Sequence, residues 1–154
     1  MLSAGVELLF LVDRRSVNST VRQLMNPHEE QFARSFIVPK KRDRYLTLLN
    51  SKRGRAKLLD GLNHCDDLDP RYATLIPPNQ QFAPSIESRL RQRGAPETCY
   101  VISDNREIDG HEMSLSDALL ETVGHGAGTF ISCIPGKLGY FELEDMNERY
   151  ILER

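Results

Sequence analysis

The sequence predicts an α+β domain in which a helical N-terminal half packs on a small, mostly antiparallel sheet that one helix crosses. Capped segments with helical spacing fill the first half, and short β-rich runs joined by glycine turns fill the second. The chain has 154 residues, of which 40% are hydrophobic and 27% charged, as is usual for globular proteins. It is long enough to bury a core in one domain without disulfides or a metal.

Residues 1–24 precede the first strong helix signal, and Met25 offers a second start codon. Three interpretations stay open for this segment: an edge strand at 7–12, a loosely attached leader, or residues added by the choice of start. We predict one α+β domain over 25–154. Its parts are a helical part at 26–65, a connection at 66–84 and an α/β part at 85–154.

Three helices are predicted in the first half. Asn26 can cap a helix that starts at Pro27 and ends before Pro39, because the residue before a proline avoids the helical region. Pro39 opens a second helix, and Ser51 caps a third that runs to about His64.

Two residues of these helices carry particular expectations. Glu29 stands three residues after Asn26, where a capping box has its acid. Gly54 lies inside the third helix and should weaken it by about 1 kcal/mol relative to alanine.

The second half alternates strand and helix signals. A hairpin arm is predicted around Asp109 and Gly110, and Ser114 caps the crossing helix. The predicted strands are Thr98–Ser103, Ile108–Met113, Thr129–Ile134, Leu138–Leu143 and Tyr150–Leu152. The predicted helices are Ser85–Arg93, ended by Gly94, and Leu115–Val123, ended by Gly124.

The three cysteines, Cys65, Cys99 and Cys133, are odd in number and form no Cys-x-x-Cys pair, which argues against a disulfide framework or a zinc knuckle. The apolar run Val6–Val12 is too short to span a bilayer and lacks the basic start of a secretory signal. We therefore expect a cytoplasmic protein with free thiols and with no metal, cofactor or membrane partner.

Positive charge is concentrated in the first half. There are 16 basic and 10 acidic residues before Gly94, and 4 basic and 12 acidic residues after it. Cations in the first turn of a helix oppose the helix dipole, and together with the free amides there they favour an anion such as phosphate. The predicted anion contacts are Lys40, Lys41, Arg42, Arg44, Lys52, Arg53, Arg55 and Lys57.

These residues indicate a small binding protein whose partner is a nucleic acid or an acidic protein. The simpler interpretation is a solvated face, and the acidic second half can also neutralise the basic one within the fold or across a homo-oligomer. A helix-turn-helix is poorly supported, because no recognition helix is evident. A structural or immunity-type interaction domain is a further alternative.

An enzyme is the alternative of a different class. Asp109, His111 and Glu112 form the densest acid–base cluster, and on a strand Asp109 and His111 would share a face. They could then serve a small hydrolase or nuclease, with or without a metal. The simpler interpretation is a polar hairpin, so we prefer a non-enzymatic binding module.

The remaining candidate residues have structural interpretations. The segment Val123–Thr129 resembles a phosphate-binding loop only in composition, because it runs from a helix into a strand and phosphate loops run the other way. Cys99 and Cys133 lie in apolar strands and are expected in the core.

Overall fold

A computed structural model describes residues 25–145 and 147–154, and it confirms the α+β class. Six antiparallel strands form one sheet in the order β1-β6-β5-β4-β2-β3. The strands are β1 (Ala73–Leu75), β2 (Thr98–Ser103), β3 (Glu112–Ser114), β4 (Thr129–Ile134), β5 (Leu138–Glu142) and β6 (Arg149–Glu153). The α-helices are α1 (Pro27–Phe36), α2 (Arg42–Leu49), α3 (Lys52–Gly61), α4 (Ala83–Gln92) and α5 (Leu115–Thr122). The interpretations of residues 1–24 lie outside the described residues.

The predicted start and end of α1 are confirmed. The Asn26 side chain accepts a hydrogen bond of 2.8 Å from the amide of His28, and Pro27 occupies the first helical position. After Phe36 the chain becomes extended, and the amide of Val38 donates to the carbonyl of Asp67 at 2.8 Å. The helix therefore ends where the backbone finds a partner outside it.

The second and third predicted helices form α2 and α3. The second begins as a 3-10 turn at Pro39–Lys41 that continues into α2, and the Ser51 hydroxyl caps α3 by accepting from the amide of Gly54 at 3.0 Å. A β-carbon at Gly54 would lie 2.5 Å from the carbonyl oxygen of Leu48. Gly54 therefore allows the end of α2 to lie directly against the start of α3.

The connection at 66–84 contains a strand that the sequence did not predict. β1 pairs with β6 at the sheet edge, with Thr74 opposite Ile151, and the amide of Ile76 donates to the carbonyl of Arg149 at 2.9 Å. A strand of three residues, separated from two prolines only by Ile76, gives almost no periodic signal, so the pairing partner determines this strand.

Two apolar cores lie on opposite faces of the sheet. Alternation along the strands places Phe130 and Phe141 against α1, α2 and α3, and it places Ile131 and Tyr140 against α4 and α5. The predicted crossing helix is α5, and α4 lies beside it on the same face. The three layers leave the outer surface of α2 and α3 facing solvent.

The two glycines of α3 should respond oppositely to substitution. Gly54→Ala adds a β-carbon against backbone, which should cost about 1–3 kcal/mol of unfolding free energy despite the better helix propensity of alanine. Gly61→Ala is the matched control, because a β-carbon there meets nothing within 4 Å. Urea unfolding of both variants checks this, and equal stability of the two would contradict close packing at Gly54.

Candidate anion-binding surface

Six of the eight predicted anion contacts lie on the outside of α2, α3 and the preceding 3-10 turn. Among the described residues none of the six forms an ion pair, and all are exposed except Lys41, which is half-buried. We call these six the basic surface: Lys40, Lys41, Arg44, Lys52, Arg53 and Lys57.

Arg42 is used inside the fold. Its Nε donates to the carbonyl of Ile37 at 3.0 Å, and its Nη2 lies 3.8 Å from the carboxylate of Asp69. Asp69 is buried and also pairs with Arg71 at 2.7 Å, and the hydrogen bond from Arg71 holds the pKa of Asp69 below its usual range. Arg42 therefore ties the start of α2 to the segment that leads into β1.

Arg55 bridges two carboxylates between the helices and the sheet. Its guanidinium donates to Asp109 at 2.8 Å and forms an ion pair with Glu29, while the Tyr100 hydroxyl donates to Glu29 at 3.1 Å. Glu29 thus pairs across the fold, where the sequence predicted a capping box. Arg55 has a side-chain exposure of 20%, which leaves it little surface for an outside anion.

The cluster predicted from Asp109, His111 and Glu112 does not assemble. Asp109 lies in the turn between β2 and β3, where it accepts from the amide of Ser103 at 3.0 Å, and His111 precedes β3. The expectation that Asp109 and His111 share a strand face is wrong, because neither belongs to a strand. His111 and Glu112 are exposed, and no three ligand-type residues in the described ranges are placed to hold a metal ion.

A histidine and a serine meet near the start of α1. The Nδ1 of His28 lies 2.6 Å from the hydroxyl of Ser132, and its ring stacks on Tyr100 at 5.3 Å. Burial lowers the pKa of His28, although the negative charge of Glu112 acts in the other direction and raises it. Ser132 is 1% exposed, so this pair braces the helix on the sheet and gives no substrate access to the hydroxyl.

The glycine loop after α5 does hold an anion, but an internal one. The amide of Gly124 donates to both carboxylate oxygens of Glu142 at 3.2 Å, and the Tyr140 hydroxyl donates to the same carboxylate at 2.8 Å. The Nε of Arg149 lies 3.2 Å away. Burial raises the pKa of Glu142, and these partners oppose that shift.

The predicted core cysteines are confirmed. All three cysteines are free and buried, and burial raises the pKa of Cys99 and Cys133 to about 12 and raises that of Cys65 as well. Thiols in this state are poor nucleophiles. Nucleophilic cysteine chemistry therefore has no support in the fold.

Comparison of the chain with known protein families, curated proteins and solved structures finds no match. None of the helices within the described ranges is long and apolar enough to cross a membrane. The function is therefore inferred from the residues of the basic surface and their surroundings.

Removing Arg55 should destabilise the protein more than removing its exposed neighbour. Arg55→Met leaves Glu29 and Asp109 without their countercharge in a largely buried site, which should cost about 3 kcal/mol of unfolding free energy. Arg53→Met removes an exposed cation of the same helix and should change it by less than about 0.5 kcal/mol. Denaturant unfolding compares the two, and a small loss for Arg55→Met would contradict the bridge.

Glu142 should give the wild type a pH dependence that Glu142→Gln lacks. The pKa of Glu142 is raised in the folded protein, so folding takes up a proton, and its contribution to stability falls as the pH rises from about 4.5. As the pH rises from about 4.5, the unfolding free energy of the wild type should therefore decline relative to that of Glu142→Gln.

Unfolding in urea at several pH values measures this difference. The matched control is Glu121→Gln, which changes an exposed carboxyl on α5 and should run parallel to the wild type. If the difference in unfolding free energy between the wild type and Glu142→Gln stays constant as the pH rises from about 4.5, the raised pKa of Glu142 is contradicted.

Proposed function

We propose that the protein binds nucleic acid by contacting phosphates with the basic surface. The observation that carries this proposal is that the six cations have no carboxylate partners among the described residues, whereas Arg42 and Arg55 of the same segment are paired internally. Phosphate groups supply the missing negative charge, and they need only cations positioned along a surface. The cytoplasmic location expected from the free cysteines belongs to the same proposal.

The positions of Lys52 and Arg53 disfavour an explanation by helix stability. α3 begins with Lys52 and Arg53 and has no acid in its first turn. The unfavourable interaction of each cation with the helix dipole costs about 0.3–1 kcal/mol of helix stability. α1 has Glu29 and Glu30 in that place, and α5 has Asp117. Binding of an anion would account for the two cations at this position, which the helix dipole disfavours.

The absence of apolar anchors favours nucleic acid over an acidic protein. Among the described residues the large exposed hydrophobic side chains are Leu75, Phe82 and Leu120, and none belongs to α2 or α3. Protein interfaces depend on buried aromatic or apolar anchors at their centre, whereas phosphate contacts do not. The basic surface offers charge without an exposed apolar side chain of this kind.

Salt dependence tests the proposal. Affinity for short single-stranded and duplex oligonucleotides is measured against salt for the wild type and for the variant Lys40→Glu, Lys41→Glu, Lys52→Glu and Arg53→Glu. If these four cations contact duplex phosphates, the slope of log affinity against log salt should become shallower by about 3.6 in the variant.

The controls separate binding from folding. Acids at helix starts complement the dipole, so the variant should unfold no more easily than the wild type. A second comparison sets Lys52→Glu with Arg53→Glu against Arg89→Glu with Lys137→Glu, which changes the net charge equally outside the basic surface. An equal loss of oligonucleotide affinity in the two double variants would overturn the proposal. Absence of oligonucleotide binding by the wild type at low salt would also overturn it.

A further inference from the structure

A pocket of about 300 Å³ lies between α2, α3 and the segment 62–67. Arg44 from α2 and Lys57 from α3 line it with positive charge. Its apolar lining comes from Leu48, Leu58 and Leu62. A volume of this size is at the lower end of the range for small-ligand sites.

The same pocket has hydrogen-bond acceptors in its lining. Asp66 and Asp67 both line it, and the Tyr45 hydroxyl donates to one oxygen of Asp67 at 2.8 Å. Burial raises the pKa of Tyr45, so its hydroxyl stays protonated and serves as that donor. The other oxygen of Asp67 has no hydrogen-bond partner within the part of the chain that the structure describes.

We propose that this pocket receives one nucleotide unit. Its phosphate would lie at Arg44 and Lys57, and its base would lie on the apolar lining with an amino group directed to Asp66 or Asp67. A nucleotide contains an anionic phosphate, a flat apolar base and hydrogen-bond donors on the edge of that base. These three parts match the cationic, apolar and carboxylate residues that line the pocket. This inference rests on the proposed function, because it specifies which part of a nucleic acid the protein recognises.

The carboxylates set an expected preference among bases. Ionised carboxylates only accept hydrogen bonds, and guanine, adenine and cytosine offer an amino group while uracil offers carbonyl oxygens on either side of one N–H. A base that lies on the apolar lining has left its stack, so the nucleotide must be unpaired. A free mononucleotide and an unpaired nucleotide of a longer strand share this chemistry.

Gly61 provides a variant that adds bulk to the wall of the pocket without disturbing the backbone. It lines the pocket with a φ of −92°, which any residue adopts, and a β-carbon there meets nothing within 4 Å. Gly61→Phe therefore places a ring at the pocket without strain, and Gly61→Ala is its matched control. A second variant, Asp67→Asn, keeps an acceptor for the Tyr45 hydroxyl and adds a donor in place of a carboxylate oxygen.

The full chain is titrated with GMP and with UMP while NMR shifts are followed. GMP should bind about tenfold more tightly than UMP, and Asp67→Asn should reduce that preference. Gly61→Phe should weaken GMP binding about tenfold or more, and Gly61→Ala should leave it unchanged. Absence of GMP binding by the wild type would overturn the pocket, and so would unchanged binding by Gly61→Phe.

A second arm compares a blunt duplex with the same duplex carrying a single-stranded overhang. The overhang should bind more tightly, and Gly61→Phe should remove that advantage. If both duplexes bind equally and GMP does not bind, the pocket proposal fails while the basic surface stands. If GMP binds and no oligonucleotide does, a free mononucleotide is the ligand, and the proposed function fails while the pocket stands.

Discussion

The bridge made by Arg55 fixes the helical layer on the sheet. It joins α3 to Glu29 of α1 and to Asp109 of the turn between β2 and β3, so three separate elements depend on one guanidinium. Two carboxylates in a largely buried site need a countercharge, and the planar arginine fork can serve both. Once α3 is held in this way, Gly54 lets α2 pack against it, and both helices turn their remaining cations outward.

Buried and exposed charge follow different rules in this fold. Each buried carboxylate among the described residues has an arginine beside it: Arg55 accompanies Glu29, Arg71 and Arg42 accompany Asp69, and Arg149 accompanies Glu142. The basic surface consists mostly of lysines, whose compact and strongly hydrated ammonium groups stay in solvent. The internal ion pairs account for Arg42 and Arg55 of the first half and Arg149 of the second, and they leave the six cations of the basic surface without an internal partner among the described residues.

Local signals in the sequence predicted most of the elements, and long-range pairing decided the rest. Caps and prolines define α1, and the bounds of β2 and β4 agree with the β-rich runs Thr98–Ser103 and Thr129–Ile134. β1 and the bond between Arg55 and Asp109, 54 residues apart, depend on partners that a local pattern does not reveal.

The helical period carries a further signal within the basic segment. Arg55 stands three and four residues before Leu58 and Leu59, which are buried, so the helical period already places it on the inner face of α3. Applying this period to each cation separates Arg55 from Arg53 and Lys57, which composition alone counts together. The pocket could not be found in this way, because Asp67 and Arg44 approach each other only after the chain turns at the end of α3.

The two glycines of α3 show where stability and function separate. Gly54 is required by packing, since any larger residue meets the backbone of α2. Gly61 has no such requirement: its φ is negative and its β-carbon position is empty, so the fold would gain helix propensity from alanine. Gly61 lines the pocket, so a larger side chain there would add bulk to its wall. The proposed pocket gives a reason for this glycine, which lines it, just as a bound anion would give a reason for Lys52 and Arg53 at the start of α3.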